Sequence, residues 1–348
     1  MSIDEICREA IAARTFPGCQ IGVLRGDEIS VSGHGRLTYD AGAAAVTDET
    51  LYDVASVTKS IPTNSLILAL IEQGKLGLDD GAVEYLPELR NQYRDQILIR
   101  HLLTYTVILD LPTGLADVAR DEPSRLLHTV FSTPLKAPPG EQFYYTNTPA
   151  LMLGLIAEKI CGKPLDKVAE EMFFAPLEMK RTSFKPRRDI NSIAPSELTE
   201  DGPVIGEPHD GSARVLRRMG MVAGHAGLFS TAGDLLKFVR MLMHDGSWEG
   251  RGFFTPETVM AMHTNQLERL GNQVGLGWEM SRALVPDGIG SPNLFGKTGF
   301  TGCSIVADPE LQTAFVILSN RTYPRSPETR EGIVAVRHVL ARLLLKRK

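Results

Sequence analysis

The chain has 348 residues, 43% of them hydrophobic and 23% charged, with a formal net charge of −5. That is enough apolar material for a large core, built as one big domain or two interleaved ones. With no Lys/Arg block beyond the terminal "KRK" and no run of about 18 apolar residues, the sequence argues against nucleic acid, an anionic membrane surface and a membrane span.

The N-terminal stretch "MSIDEICREAIAARTFPG" carries acids early and has no apolar core of a secretory signal, so the expected location is cytoplasmic. Within it Ile3, Ile6, Ala10 and Ile11 fall on one side of a helix. "CQIGVLRG" and "EISVSGHGRL" then alternate as strands around a turn at "RGDE". A buried helix follows from Val57 to Gln73, and "GKLGLDD" ends it with a glycine. The middle of the chain reads mainly helical, from "IRHLLTYTV" through "PALMLGLIAEKICG" and "AGDLLKFVRMLMHDG" to "TPETVMAMHTN", with Pro- and Gly-rich breaks at 111–114 and 185–213. Strands return in "GLGWEMSRAL", "GCSIVADP" and "QTAFVILSN", the last two joined by a tight turn at "DPEL". The helix "EGIVAVRHVLARLLLKRK" closes the chain.

This order predicts an α/β (α+β) fold. An antiparallel sheet flanked by the terminal helices would come from residues 1–75 and 272–348, with an inserted, mainly helical lobe over 76–271 and a ligand cleft between them. The four cysteines, Cys7, Cys19, Cys161 and Cys303, form no C-x-x-C pair and read as buried free thiols.

Chemistry concentrates in three places. In "DVASVTKSI", Ser56 precedes Lys59 by three residues. If a helix starts there, the amine lies one turn away on the same face and can take the proton of the hydroxyl, provided that burial or a second cation keeps it partly neutral. Alone, Ser-x-x-Lys arises by chance on the order of once in a chain this long. In "PPGEQFYYTNTPALMLG", Tyr145 facing ammonium groups would be drawn towards phenolate and serve as a base, while Asn147 presents its amide to a substrate. A packed aromatic beside a helix-capping asparagine explains the same residues. In "LFGKTGFTGCS", Lys297 and Thr298 along a strand edge would hold a substrate carboxylate or backbone, and Gly299 allows close approach. The N–H of Phe300 would join that of Ser56 as an oxyanion hole. A solvated edge lysine is the plainer alternative.

Taken together and in this order, the three segments resemble the β-lactamase and penicillin-binding-protein superfamily of serine hydrolases, with "YTN" in place of its S-D-N element. That form is similar to class C β-lactamases, D-alanyl-D-alanine carboxypeptidases and the esterases sharing their fold. "TLYDVASVTKS", "IRHLLTYT", "AGLFSTAGDLLKF" and "FGKTGFTGCSIVADPELQTAFVILSNRTYP" extend the likeness over nearly the whole chain. "VIGEPHDGSARVLRRMGMVAGHAGLFSTA" resembles a cell-wall-related branch with carboxypeptidases, esterases and muramoyl-alanine amidases. The resemblance implies that His209, Asp210 and His225 line the cleft or brace its loops, with His225 near substrate. No third ligand at suitable spacing makes these three a metal site.

Two departures stand out. Lys297 replaces the histidine of many members of that branch, a form used with carboxylate-bearing substrates. Tyr105, Val107 and Ile108 replace His, Ser and Gly of a cleft motif, and the apolar pair is expected to narrow the cleft rim or make it greasy.

The sequence therefore implies a metal-free, cofactor-free serine hydrolase acting on a small-molecule or peptide substrate. Ser56 is the nucleophile, Lys59 and Tyr145 share the base role, and Tyr145 also serves deacylation. Asn147, Lys297, Thr298, Gly299, Phe300 and His225 would contact substrate. Candidate substrates are a D-alanyl peptide, a muramoyl peptide or a small ester. β-Lactam hydrolysis is the alternative, and a ligand-binding sensor without turnover is a rival of another class. The sequence leaves oligomeric state open.

Overall fold

The computed structural model describes residues 1–111, 113–118, 122–186, 192–280 and 284–346. Helix α1 (Ile3–Ala12) starts at Ser2, whose hydroxyl accepts the Glu5 N–H while the Glu5 carboxylate accepts that of Ser2. It buries Ile6 and Ala10, as their spacing predicts. Strands β1 (Gly18–Arg25) and β2 (Glu28–Gly35) form the expected hairpin. The remaining sheet strands come from the C-terminal part: β3 (Glu279–Met280), β4 (Phe295–Thr298), β5 (Ser304–Asp308) and β6 (Thr313–Ser319). All pairs are antiparallel and the order is β2-β1-β6-β5-β4-β3, so the first hairpin is completed by the last strand.

One sequence expectation is corrected at β3. Of the stretch 275–284 only Glu279–Met280 pair with β4, and residues 281–283 lie outside the described ones. The physical reason is at Gly277. Its φ of 79° bends the chain away from an extended path, and a Cβ there would lie 2.5 Å from that of Asn64.

Among the helices that matter for the site, α2 is Ser65–Glu72, α3 Thr148–Cys161, α4 Ala232–Met243 and α5 Glu331–Leu344. Strand β6 shows why the C-terminal strands read as apolar runs. Phe315 and Ile317 enter one core with Ile6, Ile21, Ile333 and Leu340, under α1 and α5. Ala314, Val316 and Leu318 enter another, with Leu235 and Leu236 of α4. Alternation along an extended chain serves both faces, and both are covered.

The second core continues without a break into Leu66 and Ile67 of α2 and Leu151, Met152 and Ile156 of α3. Sheet and helical region are thus welded by one apolar body. Helix α4, from the middle of the chain, lies across β1 and β6. Gln20 of β1 fixes it there: its Oε1 accepts the Ala232 N–H at 2.9 Å, and its Nε2 donates to the carbonyls of Thr47 and Thr50. All four cysteines are free thiols. Among the described residues, no helix is long and apolar enough to cross a membrane.

Gly22 faces α4, where a Cβ would come within 2.8 Å of Leu236 Cδ1 and 3.0 Å of the Ala232 Cβ. Gly22→Val is therefore expected to lower the unfolding free energy by about 1–3 kcal/mol through overpacking. A lower urea midpoint at unchanged m-value is the measurement that checks it.

Candidate active site

Ser56 stands just beyond Tyr52–Asp53, a two-residue strand paired with Phe229–Ser230. Between them Ala55 is held in the left-handed region at φ 47°, and Asp53 Oδ1 secures it by accepting the Ala55 N–H at 2.8 Å. Burial raises the Asp53 carboxyl to about 6. Three successive bonds then coil the chain tightly: Val57 N–H to Val54 O, Thr58 N–H to Ala55 O, and Lys59 N–H to Ser56 O. One such turn carries Lys59 back over Ser56.

Lys59 is completely buried. Its Nζ lies 2.9 Å from Ser56 Oγ, 2.9 Å from Asn147 Oδ1 and 3.0 Å from the His225 carbonyl. Burial, and then the nearby Lys297 cation, pull its pKa down to about 7 against the opposing pull of Asp210 and Glu279. In the neutral form the amine has two N–H donors and one lone pair. The amide oxygen of Asn147 and the His225 carbonyl can only accept, so they take the two donors. The lone pair is left for the Ser56 hydroxyl proton.

Lys297 is also completely buried, but it keeps its charge. Its Nζ meets Glu279 Oε1 at 2.7 Å and lies over the rings of Tyr145 (4.3 Å) and Tyr105 (5.1 Å). Burial pushes the ammonium down, and Glu279 with the two tyrosines more than offsets this, holding it well above the usual lysine range. Glu279 Oε2 accepts from Thr298 Oγ1 at 3.2 Å.

The Tyr145 hydroxyl faces Ser56, and its ring lies 5.2 Å from Lys59 Nζ. Part of the residue is exposed, but the hydroxyl end is buried, and that burial raises its pKa above the ordinary tyrosine range despite the pull of Lys297. The expected drift towards phenolate is therefore corrected. Desolvation of the phenolate outweighs the pull of Lys297, whose charge Glu279 already neutralises. Burial thus favours the phenol form of Tyr145.

Asn147 is likewise engaged by the protein. Its Oδ1 holds Lys59, and its Nδ2 donates to Asp210 Oδ2 at 3.0 Å. Asp210 caps the helix Gly211–Arg218 by accepting the Ala213 N–H, and Oδ1 also meets Ser212 Oγ at 2.6 Å and His225 Nε2 at 3.2 Å. Burial alone would raise its pKa; His225, Ser212 and the Ala213 N–H outweigh that and hold it well below the usual carboxylate range. A continuous chain of contacts thus runs Ser56–Lys59–Asn147–Asp210–His225.

The His225 imidazole is fully buried, so its side chain is turned to Asp210 and Ser212 rather than to an open cleft. Its contribution to the site is the carbonyl that holds Lys59. His209 stacks on Phe300 at 5.4 Å, and its N–H donates to Asp53 Oδ2 at 2.6 Å. Among the described residues, no group of three His, Cys, Asp or Glu is arranged to hold a metal ion.

The end of β4 presses on the serine turn. A Cβ at Gly299 would meet the Val54 carbonyl at 2.5 Å, and Thr301 Oγ1 donates to Asp53 O at 2.7 Å. This sets Gly299, next to Phe300, against Val54 and Ala55, the two residues before Ser56. Among the described residues, neither the Ser56 nor the Phe300 N–H donates to another protein group, which leaves both free for an oxyanion. Beside Tyr145 and Glu279 opens a cavity of about 340 Å³, lined also by Tyr105, Phe143, Val274 and Met280. A larger, arginine-lined hollow of about 690 Å³ flanks the helix Gly211–Arg218 and includes none of the residues around Ser56. Val107 and Ile108 do not narrow the rim. Both are buried, Val107 in the main core, which is why apolar residues suit those positions.

Sequence reasoning missed Glu279, Ser212 and Asp53. Glu279 left one signal, a lone acid in the apolar run "GLGWEM".

The family model described as Beta-lactamase matches residues 3–338. The chain belongs to that family, a group of serine hydrolases. Its relatives include a protein of Escherichia coli (strain K12) named "Putative D-alanyl-D-alanine carboxypeptidase", 32% identical over 81% of this chain and 71% of the relative. Among solved structures, the octameric penicillin-binding protein homologue from Pyrococcus abyssi aligns with a TM-score of 0.75 and 24% identity, over 98% of this chain and 76% of that one. "EstCE1, a hydrolase with promiscuous acyltransferase activity" aligns with a TM-score of 0.78 and 22% identity over 97% of both chains. A class C β-lactamase aligns with a TM-score of 0.73 and 20% identity, over 97% and 96%. These likenesses establish a mixed α/β, β-lactamase/transpeptidase-like fold.

The rate at which a fluorophosphonate labels Ser56 is expected to rise with pH through about 7, as Lys59 loses its proton. Lys297→Met removes a cation that depresses Lys59, so the midpoint should move to higher pH. An unmoved midpoint would show that Lys59 is not the titrating group.

Proposed function

We propose that this protein hydrolyses an amide or ester bond through an acyl-enzyme on Ser56. The observation that carries this reading is the 2.9 Å contact between Ser56 Oγ and a fully buried Lys59 whose pKa is near neutrality. Desolvation weakens the lysine as a surface cation but makes it a base at working pH. A binding module has no use for such a pair, which favours the enzyme over the sensor.

In this mechanism neutral Lys59 takes the Ser56 proton as Oγ attacks the carbonyl carbon. The Ser56 and Phe300 N–H groups hold the oxyanion. Tyr145, as a phenol, gives its proton to the leaving group and is reprotonated from Lys59, which returns to the neutral form. The bond to the leaving group breaks, and the acyl group stays on Ser56. Water then attacks the acyl carbon and gives a proton to Lys59; the acyl C–Oγ bond breaks, Lys59 returns the proton to Ser56 Oγ, and the carboxylic acid leaves. Deacylation so written needs no separate carboxylate. Asn147 and Asp210 act through Lys59 as positioning residues, while Thr298 and Gly299 border the substrate.

D-alanyl peptides, muramoyl peptides and small esters are the proposed substrate classes, supported by relatives named as D-alanyl-D-alanine carboxypeptidases and by a hydrolase of the same fold. β-Lactam hydrolysis is the second reading, favoured by the class C β-lactamase likeness.

A panel of D-Ala-D-Ala peptide, muramoyl-alanine, p-nitrophenyl acetate and nitrocefin separates these classes. Ser56→Ala should abolish turnover of whichever is cleaved and remove the covalent adduct seen by mass spectrometry. Absence of turnover and adduct across the panel would sink the hydrolase. Asp210→Asn should lower kcat on the order of a hundredfold by releasing Asn147 and Lys59 from their geometry, with KM little changed. Equal losses in kcat and folded fraction would reduce Asp210 to a structural residue.

A further inference from the structure

Glu279 occupies the position from which a substrate carboxylate would be held. Lys297 Nζ and Thr298 Oγ1 are the two donors that the strand edge offers to an anion, and both are already given to one carboxylate, at 2.7 and 3.2 Å. That carboxylate is the protein's own. The pairing is built into the sheet, since Glu279 on β3 sits opposite Gly296 on β4, beside the lysine. On its other side Gly296 packs against β5, where a Cβ would lie only 2.0 Å from the Ile305 carbonyl. Tyr105 and Tyr145 cover the ammonium on its remaining sides.

We infer that Glu279 is a specificity-determining residue: it acts as an internal stand-in for a substrate carboxylate, so that the site selects acyl donors with no free carboxylate next to the scissile bond. The charge arithmetic decides this. An ammonium facing solvent would attract an anionic leaving group, but the Lys297–Glu279 pair has no net charge. An incoming carboxylate would meet Glu279 at close range, and like charges so placed cost affinity. Displacing Glu279 would strand it in a half-buried site without its cation. Esters and amides with neutral leaving groups meet none of these costs. The adjoining cavity, lined by Tyr105, Phe143, Val274 and Met280, gives such a leaving group an apolar place to lie. This inference rests on the acyl-enzyme reading and narrows its substrates. It departs from the expectation that a lysine here serves carboxylate-bearing ones.

The test compares two substrates that differ only in that charge, the N-benzoylglycyl thioester of thioglycolic acid and the methyl ester of the same compound. The wild type should favour the methyl ester by about tenfold or more in kcat/KM. Glu279→Gln keeps an acceptor for Lys297 but removes the negative charge, and should bring the ratio to one or below through KM. Glu279→Asp retains the charge and should retain the preference. Because both thioesters need Lys59 equally, any change in its pKa cancels in the ratio. A wild type that cleaves both equally, or a ratio unmoved by Glu279→Gln, overturns the inference.

Calorimetric binding of N-benzoylglycine against N-benzoylglycinamide to Ser56→Ala, with and without Glu279→Gln, reads the same selectivity without turnover. If the wild type cleaves neither thioester, the substrate panel decides the hydrolase reading and the binding comparison decides the inference. The inference stands if the amide binds better to Ser56→Ala and the double variant reverses this, and falls if it does not.

Discussion

Two lysines share a dry, confined space around Ser56, and two desolvated ammonium ions cannot both persist there with one counter-ion. The site resolves the conflict asymmetrically. Glu279 and two tyrosine rings secure the charge on Lys297. Lys59 receives no carboxylate of its own, only an amide oxygen and a peptide carbonyl. Burial therefore prevails at Lys59 and pulls its pKa down to about 7. The difference between the two residues lies in their partners, since both are equally buried.

The rest of the structure keeps that asymmetry in place. Asp210 is the nearest candidate to neutralise Lys59, but its oxygens are committed to Asn147, Ser212, His225 and a helix N-terminus. It reaches Lys59 through Asn147, as orientation rather than as a paired charge. Asp53 performs a parallel task for the serine, tying the strained Ala55 on one side and the 209 loop on the other. The backbone strain at Ala55 persists because these bonds over-determine it.

How much of this was legible varies with how local each signal is. Ser56 and Lys59 were readable because one helical turn fixes their relation. The sheet and the terminal helices followed from hydrophobic period and turn residues. Tyr145 and Lys297 each stand out in their own segment, but only the resemblance joins them in one site, since nothing in their surroundings places them together. Glu279 escaped because its meaning depends on the β3–β4 register, a pairing that no stretch of a few residues encodes. The protonation of Tyr145 was misjudged for a related reason. Counting nearby cations leaves out the carboxylate that cancels one of them and the burial that opposes phenolate. Val107 and Ile108 look like rim residues in sequence, yet the fold turns them inward.

The sheet order has a consequence for synthesis. Strand β1 leaves the ribosome well before its partner β6, which lies roughly 290 residues further along the chain. At ordinary elongation rates the hairpin waits roughly 15–60 s with its inner edge unsatisfied. During that interval the apolar face of β1 is an open template for the wrong neighbour. The hairpin's inner edge is closed only when the last sheet strand arrives.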